Sequence, residues 1–507
     1  MRKLRRGLAA LVALAALSAG RPARATDVQE FPEIGTEPLG RGGAWVARAS
    51  NPLATFLNPA GLAGQESGAL ANVHLIFNKV CFQRQGDGAK IRTGGGLDYP
   101  EVCNENTGAP TPLPALGGVF RATERLGIGL SVATPNVYGT LRFPETVAIK
   151  NNVGVTQELP SPQRYMLLEQ DGIALNITLG AGYEVLRGLR IGAGFVWGLA
   201  KYNLSNANMS INPDPEADGS WLDPDTADVR AKLVVADWFM PGATFGVLYS
   251  PLSTLDVGLN VIVQDAFDAH GDLETKANYW TNNGVSDNPV VSNSADVEEG
   301  LGHFRLANPL EARIGARFHL PRRDGAVPGA VRDPLVDDVF DVELDVSYTR
   351  NSAYDRAMLR FPASPAVPVQ GTPGAVPQNN DIDFKVKGDT IGLRLGGDFV
   401  VLPGQLAARA GAFFEPDAQN EQYANVSFLA SQRIGLALGG TYRVAMIDIE
   451  AAYMHIFVTE IDNGDRGKLL VVSGDAKGGA FRSPYGINSG RFRQSANVFS
   501  VGATARF

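Results

Sequence analysis

Residues 340–349 read FDVELDVSYT, and in them Phe340, Val342, Leu344, Val346 and Tyr348 alternate without a break with Asp341, Glu343, Asp345, Ser347 and Thr349. A period of two is the mark of a β-strand whose faces meet different surroundings, here one apolar and one acidic. The pattern recurs along the chain. Ala71, Val73, Leu75 and Phe77 alternate with Asn72, His74, Ile76 and Asn78, and Ile173, Leu175, Ile177 and Leu179 with Ala174, Asn176, Thr178 and Gly180. Leu255, Val257, Leu259 and Val261 do the same against Asp256, Gly258, Asn260 and Ile262.

Working outward from these runs gives about fourteen strands, near 68–83, 113–123, 127–135, 166–185, 188–204, 234–250, 254–268, 305–320, 338–352, 384–401, 404–415, 428–444, 446–461 and 491–507. The connections alternate between long polar ones and tight turns near Glu124, Leu186, Leu252, Pro403 and Ala445. Long loops on one side and short turns on the other are the habit of a transmembrane β-barrel, whose tilted strands need about 9–11 residues to cross hydrocarbon. Pro321 to Asp337 breaks the alternation, being long where a turn is expected. A soluble β-sandwich also alternates, but has no need of strands this long or of loops so regularly unequal. The last strand puts Phe499, Val501, Ala503, Ala505 and Phe507 on one face and ends on an aromatic, as bacterial outer-membrane barrels do. The expected fold is therefore all-β, a 14-stranded antiparallel barrel over 68–507, closed because an open edge in lipid leaves backbone groups unpaired.

Composition and the N-terminus fit that expectation. The chain has 507 residues, 44% hydrophobic and only 19% charged. Arg2, Lys3, Arg5 and Arg6 precede an apolar run from Leu8 to Leu17 and an Ala23-Arg24-Ala25 cleavage site, the build of a secretory signal peptide over 1–25 cut after Ala25. Removing its six positive charges takes the formal charge from −8 to −14, which gives no reason to expect nucleic acid. In an oxidising compartment Cys81 and Cys103, the only cysteines, favour a disulfide over two free thiols.

Fourteen strands enclose more space than their side chains fill, so the lumen is either a channel or plugged. The segment available as a plug lies within 26–67. Its stretch GTEPLGRGGAWVARASNPLATFLNPAGLAG, Gly35 to Gly64, is apolar and turn-rich, with neither helical nor strand periodicity.

The pattern Leu39-Gly40-Arg41-Gly42-Gly43-Ala44 followed by Asn58-Pro59-Ala60 resembles the hatch of the FadL family of outer-membrane transporters for long-chain fatty acids and other hydrophobic compounds. Leu126-Gly127-Ile128-Gly129-Leu130-Ser131 with Thr134-Pro135, Tyr453-Met454-His455 and the terminal strand extend the likeness. The resemblance implies a monomeric barrel in the bacterial outer membrane, inserted by the barrel-assembly machinery among outer-membrane lipids. A ligand would be captured by the outer loops, pass to a luminal pocket beside the hatch, and leave sideways at a kink in the third strand. It implies a gate of Asn58, Pro59 and Ala60 facing the strand with Gly127, Gly129 and Pro135.

Phe31, Ile34, Leu39, Trp45, Val46, Phe56 and Leu57 are candidates to line the pocket, with packing against the wall as the alternative. Trp221, Leu222, Tyr279 and Trp280 are candidates for capture in the loops. Luminal charges pair in expectation as Arg313 and Arg317 with Asp341, Glu343 and Asp345, and as Arg433 with Asp448 and Glu450. Asp214, Glu216, Asp218 and Asp225 approach the spacing of a Ca²⁺ loop, although a solvated acidic loop gives the same letters. No other cofactor is expected. The five histidines, His74, His270, His303, His319 and His455, sit in no recognisable catalytic arrangement, so an enzyme is not expected. A general polar porin, or less readily a lipid-modifying enzyme, is the alternative to a hydrophobic transporter.

Overall fold

The computed structural model describes residues 34–507 except 87–89, 92–96, 135–139, 151–153, 210–227, 277–293, 297–301, 324–326, 330–331, 354, 361–381, 471, 475–479 and 483–485. The signal peptide and Phe31 therefore lie outside the described residues.

The wall follows the alternation. Its strands are β1 (Gly68–Arg84), β2 (Thr111–Arg121), β3 (Leu126–Ala133), β4 (Glu169–Leu186), β5 (Leu189–Met209) and β6 (Asp228–Leu252). Next come β7 (Leu255–Gln264, resumed as Phe267–Lys276), β8 (Gly302–Leu306, resumed as Glu311–Pro321) and β9 (Asp338–Thr349, resumed as Arg356–Arg360). The ring is completed by β10 (Thr390–Leu402), β11 (Leu406–Glu415), β12 (Arg433–Val444), β13 (Ile447–Val458) and β14 (Gly490–Arg506). Each strand pairs antiparallel with the next, and β14 pairs with β1 from Gly68↔Arg506 to Arg84↔Gly490, so the sheet closes as a 14-stranded barrel. Closure pairs the first strand with the last, so neither is left as a terminal edge strand.

Outward residues are apolar and exposed, among them Leu130, Leu179, Phe195, Phe245, Ile314, Leu395, Leu438 and Val501. Inward residues are buried, and many of them are small or polar. On β9, Asp341, Glu343, Asp345, Ser347 and Thr349 face the lumen while Val342, Leu344 and Tyr348 face out. Strands β4, β5 and β6 run to 18, 21 and 25 residues, so that side of the wall rises well beyond the length needed to cross hydrocarbon.

The connection after β8 explains itself once the ring is seen. Its residues cross the mouth at the short-turn end and touch turns around the ring. Arg190 at the foot of β5 donates to the Gly329 carbonyl at 2.8 Å, Arg332 to Ser253 at 3.1 Å, and Gly404 to the Leu335 carbonyl at 2.8 Å. Arg443 and Arg506 both reach Asp333, which caps the short helix α1 (Pro334–Asp337) through Leu335 N–H at 3.2 Å. Leu335 packs on Val400 and Ala407. The segment is a strap, long because it spans the mouth.

Burial alone would push the Asp333 carboxyl up, but the Arg443 hydrogen bonds and the Arg506 charge outweigh it and hold it below the usual carboxylate range. Its stabilisation is therefore present above the ordinary carboxylate pKa and is lost as pH falls through the lowered folded value. Asp333→Ala is expected to weaken the strap by about 1–2 kcal/mol. Trypsin should then cleave after Arg332 several-fold faster than in the unaltered protein.

Candidate functional site

The site is the N-terminal segment and the wall around it. Residues 34–65 are almost all buried and lie within the ring, touching strands from β2 round to β14. Two short helices, Thr36–Gly40 and Ala54–Leu57, and a 3₁₀ turn, Pro59–Gly64, are too brief to be stable alone, so the wall holds them.

The clamp is ionic. Arg41, with no exposed surface, donates to Asp341 at 2.7 Å, Asp398 at 2.8 Å and Glu343 at 3.1 Å, and its Nε to the Ala44 carbonyl at 2.9 Å. Arg48 pairs with Glu37 at 2.5 Å, with Asp398 at 3.1 Å and with Asp341. The next carboxylates along β9 accept backbone donors: Asp345 takes Trp45 and Val46 N–H at 2.8 and 3.1 Å, and Glu343 takes Ala47 N–H at 2.6 Å. The acidic face of FDVELDVSYT thus binds the segment by both charge and main chain.

The luminal pairs differ from expectation. Arg317 does reach Asp341, with Asp338 and Asp256 as further partners, but Glu343 and Asp345 are spent on the segment, and Arg313 lies 3.6 Å from Glu311. Arg433 pairs with Glu415 at 2.8 Å and not with Asp448 or Glu450. The β12–β13 hairpin puts Arg433 opposite Val458 at one end and Arg443 opposite Asp448 at the other.

Asn58 is fully buried. Its Nδ2 donates to the Val46 carbonyl at 2.7 Å, and its Oδ1 accepts Ala60 N–H at 3.3 Å, capping the 3₁₀ turn. Asn58-Pro59-Ala60 packs on β4, β5 and β6, where a methyl group at Gly182, Gly192 or Gly246 would come within 2.1–2.4 Å of these residues. The same 3₁₀ turn, Pro59–Gly64, also touches β3, where Gly127 faces Leu62 and Gly129 faces Thr55 and Leu62. Pro135 lies outside the described residues.

The apolar candidates separate into groups. Ile34 and Phe56 join Leu53, Leu70 of β1, Ala115 of β2, Ala133 of β3 and Val196 of β5 in one cluster, with Leu57 packed against it. Trp45 packs with Ala49, Ala54, Leu62 and Val119, whereas Leu39 meets the β12–β14 side at Ala437, Met454 and Val498. Val46 is buried but belongs to no apolar cluster; it lies against Gly258 and Gly315. At the loop end a larger apolar cluster includes Phe82, Phe143, Tyr202, Phe267, Phe304, Phe384 and Phe428.

Two prolines not singled out in the sequence border the first of these groups. Among the described residues, β2 pairs with β1 from Gly68↔Val119 to Ile76↔Thr111, but with β3 only from Leu116↔Val132 to Arg121↔Gly127. Above that point β2 carries Pro112 and Pro114. The Thr134 hydroxyl donates to the Pro114 carbonyl at 3.2 Å, so this carbonyl faces β3. In an antiparallel strand a residue's N and C=O point the same way, so both prolines turn a ring nitrogen, with no N–H, toward the β3 side. An edge without donors can face lipid at less cost than an ordinary one. Directly inside it lie Ala115 and Ala133, the latter 1% exposed, in the cluster with Ile34, Leu53 and Phe56.

The opposite end is polar. Below the segment a cavity is lined by Arg190, Asp256, Arg317, His319, Arg332 and Arg506, with the strap as its floor. Cys81 and Cys103 are bonded and lie opposite each other in register. Trp221, Leu222, Tyr279 and Trp280 lie outside the described residues, as do Asp214, Glu216, Asp218 and Asp225.

No protein-family model and no curated protein matches the chain. Solved structures do. A FadL homologue of Pseudomonas aeruginosa aligns over 94% of this chain and 99% of its own, with TM-score 0.65 and 18% identity. The Ralstonia pickettii toluene transporter TbuX aligns over 95% and 99%, with TM-score 0.57 and 13% identity. The monoaromatic hydrocarbon channel CymD aligns over 94% and 97%, with TM-score 0.55 and 15% identity. At these identities the likeness is one of fold, and it is the fold implied by the resemblance read from the hatch-like motifs.

Proposed function

We propose that this chain, which has the fold of the FadL homologue, the toluene transporter and the monoaromatic hydrocarbon channel, is an outer-membrane transporter that takes up hydrophobic compounds and releases them sideways into the membrane. The observation that carries the reading is the apolar cluster of Ile34, Leu53, Phe56, Ala115 and Ala133 behind the donor-free edge of β2. The apolar exterior supports a membrane setting, since soluble monomers rarely expose so continuous an apolar surface.

Polarity sets the route. An alkyl chain gains about 0.8 kcal/mol per buried CH₂, so the apolar loop-end cluster favours capture, with Trp221, Leu222, Tyr279 and Trp280 as outer contacts. Straight exit would take the ligand past buried charges, through a polar cavity and past the strap. Sideways exit keeps it in apolar surroundings. The segment is the hatch in this reading: it blocks the axial path and presents Phe56 and Leu53 to the ligand. Long-chain fatty acids and hydrocarbons both suit such a path, and two structural neighbours are named for aromatic hydrocarbons. The protein acts as a monomer and without chemistry on its cargo.

Organic extraction of purified protein followed by mass spectrometry is expected to yield a bound hydrophobic molecule. Repeated absence of one, with bulk ion conductance, favours a polar porin. Replacing Asn58 and Pro59 together by Ala removes the Val46 contact and the turn cap. Uptake is expected to fall several-fold while the barrel still assembles; unchanged uptake would make the segment a passive plug.

A further inference from the structure

Above the aromatic residues Trp197, Trp238 and Phe239 on the outer face, the resumed parts of β7 and β8 carry a cluster that hydrophobic transport does not use. Ala236 of β6 pairs with His270, which places that histidine two residues beyond Trp238 on the loop side. Phe267, Ala269 and Phe304 point inward into the apolar cluster, so Asp268, His270 and His303 share the outward face. His270 and His303 are direct cross-strand partners, their rings stacked at 4.7 Å and 13°. His303 Nε2 contacts Asp268 Oδ1, and one ligand atom from each of the three residues lies within 4.8 Å of the other two.

We propose that Asp268, His270 and His303 form a binding site for a divalent transition-metal ion, with Zn²⁺ as the best match. Two imidazoles and a carboxylate are the donor set of open tetrahedral zinc sites, with bonds of about 2.0–2.2 Å and a fourth position left for water or another ligand. Ligand atoms at such bond lengths stand roughly 3.3–3.5 Å apart, so small side-chain rotations bring the three donors to one ion. Softer imidazole donors disfavour Ca²⁺ and Mg²⁺, which take oxygen.

Supporting groups are in place. The Asp268 main-chain N–H donates to Asp237 Oδ2 at 2.9 Å, which fixes the backbone that carries the ligand, and Arg305 Nε lies 3.8 Å from the second carboxylate oxygen. An ordinary Asp–His pair needs only one imidazole. His270 is the surplus: it is exposed, with no hydrogen bond among the described residues, directly across from the histidine that Asp268 already holds.

The placement gives the ion a task. The β7–β8 ladder runs to Ile262↔Glu311, lapses, and resumes at Phe267↔Leu306. A metal bridging His270 and His303 clips the two strands together beyond that lapse, steadying the wall behind the loop-end apolar cluster. The inference is independent of which cargo the barrel carries.

The test uses tag-free purified protein stripped with EDTA, titrated with Zn²⁺ against a chromophoric chelator. One equivalent is expected to bind. His270→Ala, His303→Ala and Asp268→Asn should each weaken it at least about tenfold, the lower limit for losing even a supporting group. His455→Ala should not, since that ring bonds Asn497 inside another part of the wall. Should the histidine variants fail to assemble, Co²⁺ added to the unaltered protein decides: intense visible bands of tetrahedral Co²⁺ support the site. Zn²⁺ binding equal in the unaltered protein and the assembled His270→Ala/His303→Ala double variant, or no tetrahedral Co²⁺ spectrum, overturns it.

Discussion

Replacing Arg41 by Ala is expected to release the N-terminal segment and turn the barrel into a channel leaky to polar solutes. The guanidinium is fully buried among Asp341, Asp398 and Glu343. Removing one member of a buried ionic cluster leaves uncompensated charge and costs about 3–5 kcal/mol. Arg48 remains beside Asp341 and Asp398, but the alanine also abandons the Ala44 carbonyl that fixes the turn. An undocked population at least about a hundredfold larger follows from that energy. Planar-bilayer recordings should show larger, noisier conductance, approaching that of a variant lacking residues 26–64. Conductance equal to that of the unaltered protein would mean that the β9 main-chain contacts hold the segment without Arg41.

The second large effect is expected from Pro112→Val combined with Pro114→Val. Each valine restores an N–H on the side of β2 that turns toward β3. A donor left unpaired in hydrocarbon costs several kcal/mol, and the cheapest relief is for the neighbouring chain to zip against it. Valine suits a strand and keeps an outward apolar side chain, so assembly should survive. Uptake of a labelled hydrophobic compound should fall at least about tenfold, while binding of the compound to the purified protein should change little. Uptake at the unaltered level would show that cargo does not leave between β2 and β3.

How much of this was open to reading depends on which physical signal each feature leaves in the chain. The wall was legible because lipid on one side and a polar lumen on the other impose a period of two on every strand, as FDVELDVSYT displays. The burial of Gly35 to Gly64 was legible from its lack of any self-supporting pattern. Its full set of neighbours was not: Asn58 meets Gly246 and Pro59 meets Gly192 through the curvature of the closed ring, which brings β4–β6 to the segment beside β3. Arg433 was assigned to Asp448 because both lie on one hairpin, yet antiparallel register puts them at opposite ends. The strap read only as an anomalous length, since Arg190, Gly404 and Arg443 are distant in sequence. Pro112 and Pro114 did carry a signal. Prolines at alternate positions in a membrane strand remove donors from one edge only, and that pattern can be sought without a structure.

The measurement that bears most directly on the account is photolabelling with a photoreactive long-chain fatty acid, and in parallel a photoreactive aromatic hydrocarbon, followed by mass-spectrometric mapping of adducts on the barrel. Adducts are expected at Leu53, Phe56, Ala115 and Ala133, at the inner side of the proline-bearing β2 edge, with labelling there suppressed by excess unlabelled compound. Adducts confined to outward residues such as Leu438 and Val501, insensitive to competitor, would contradict a path through the barrel wall.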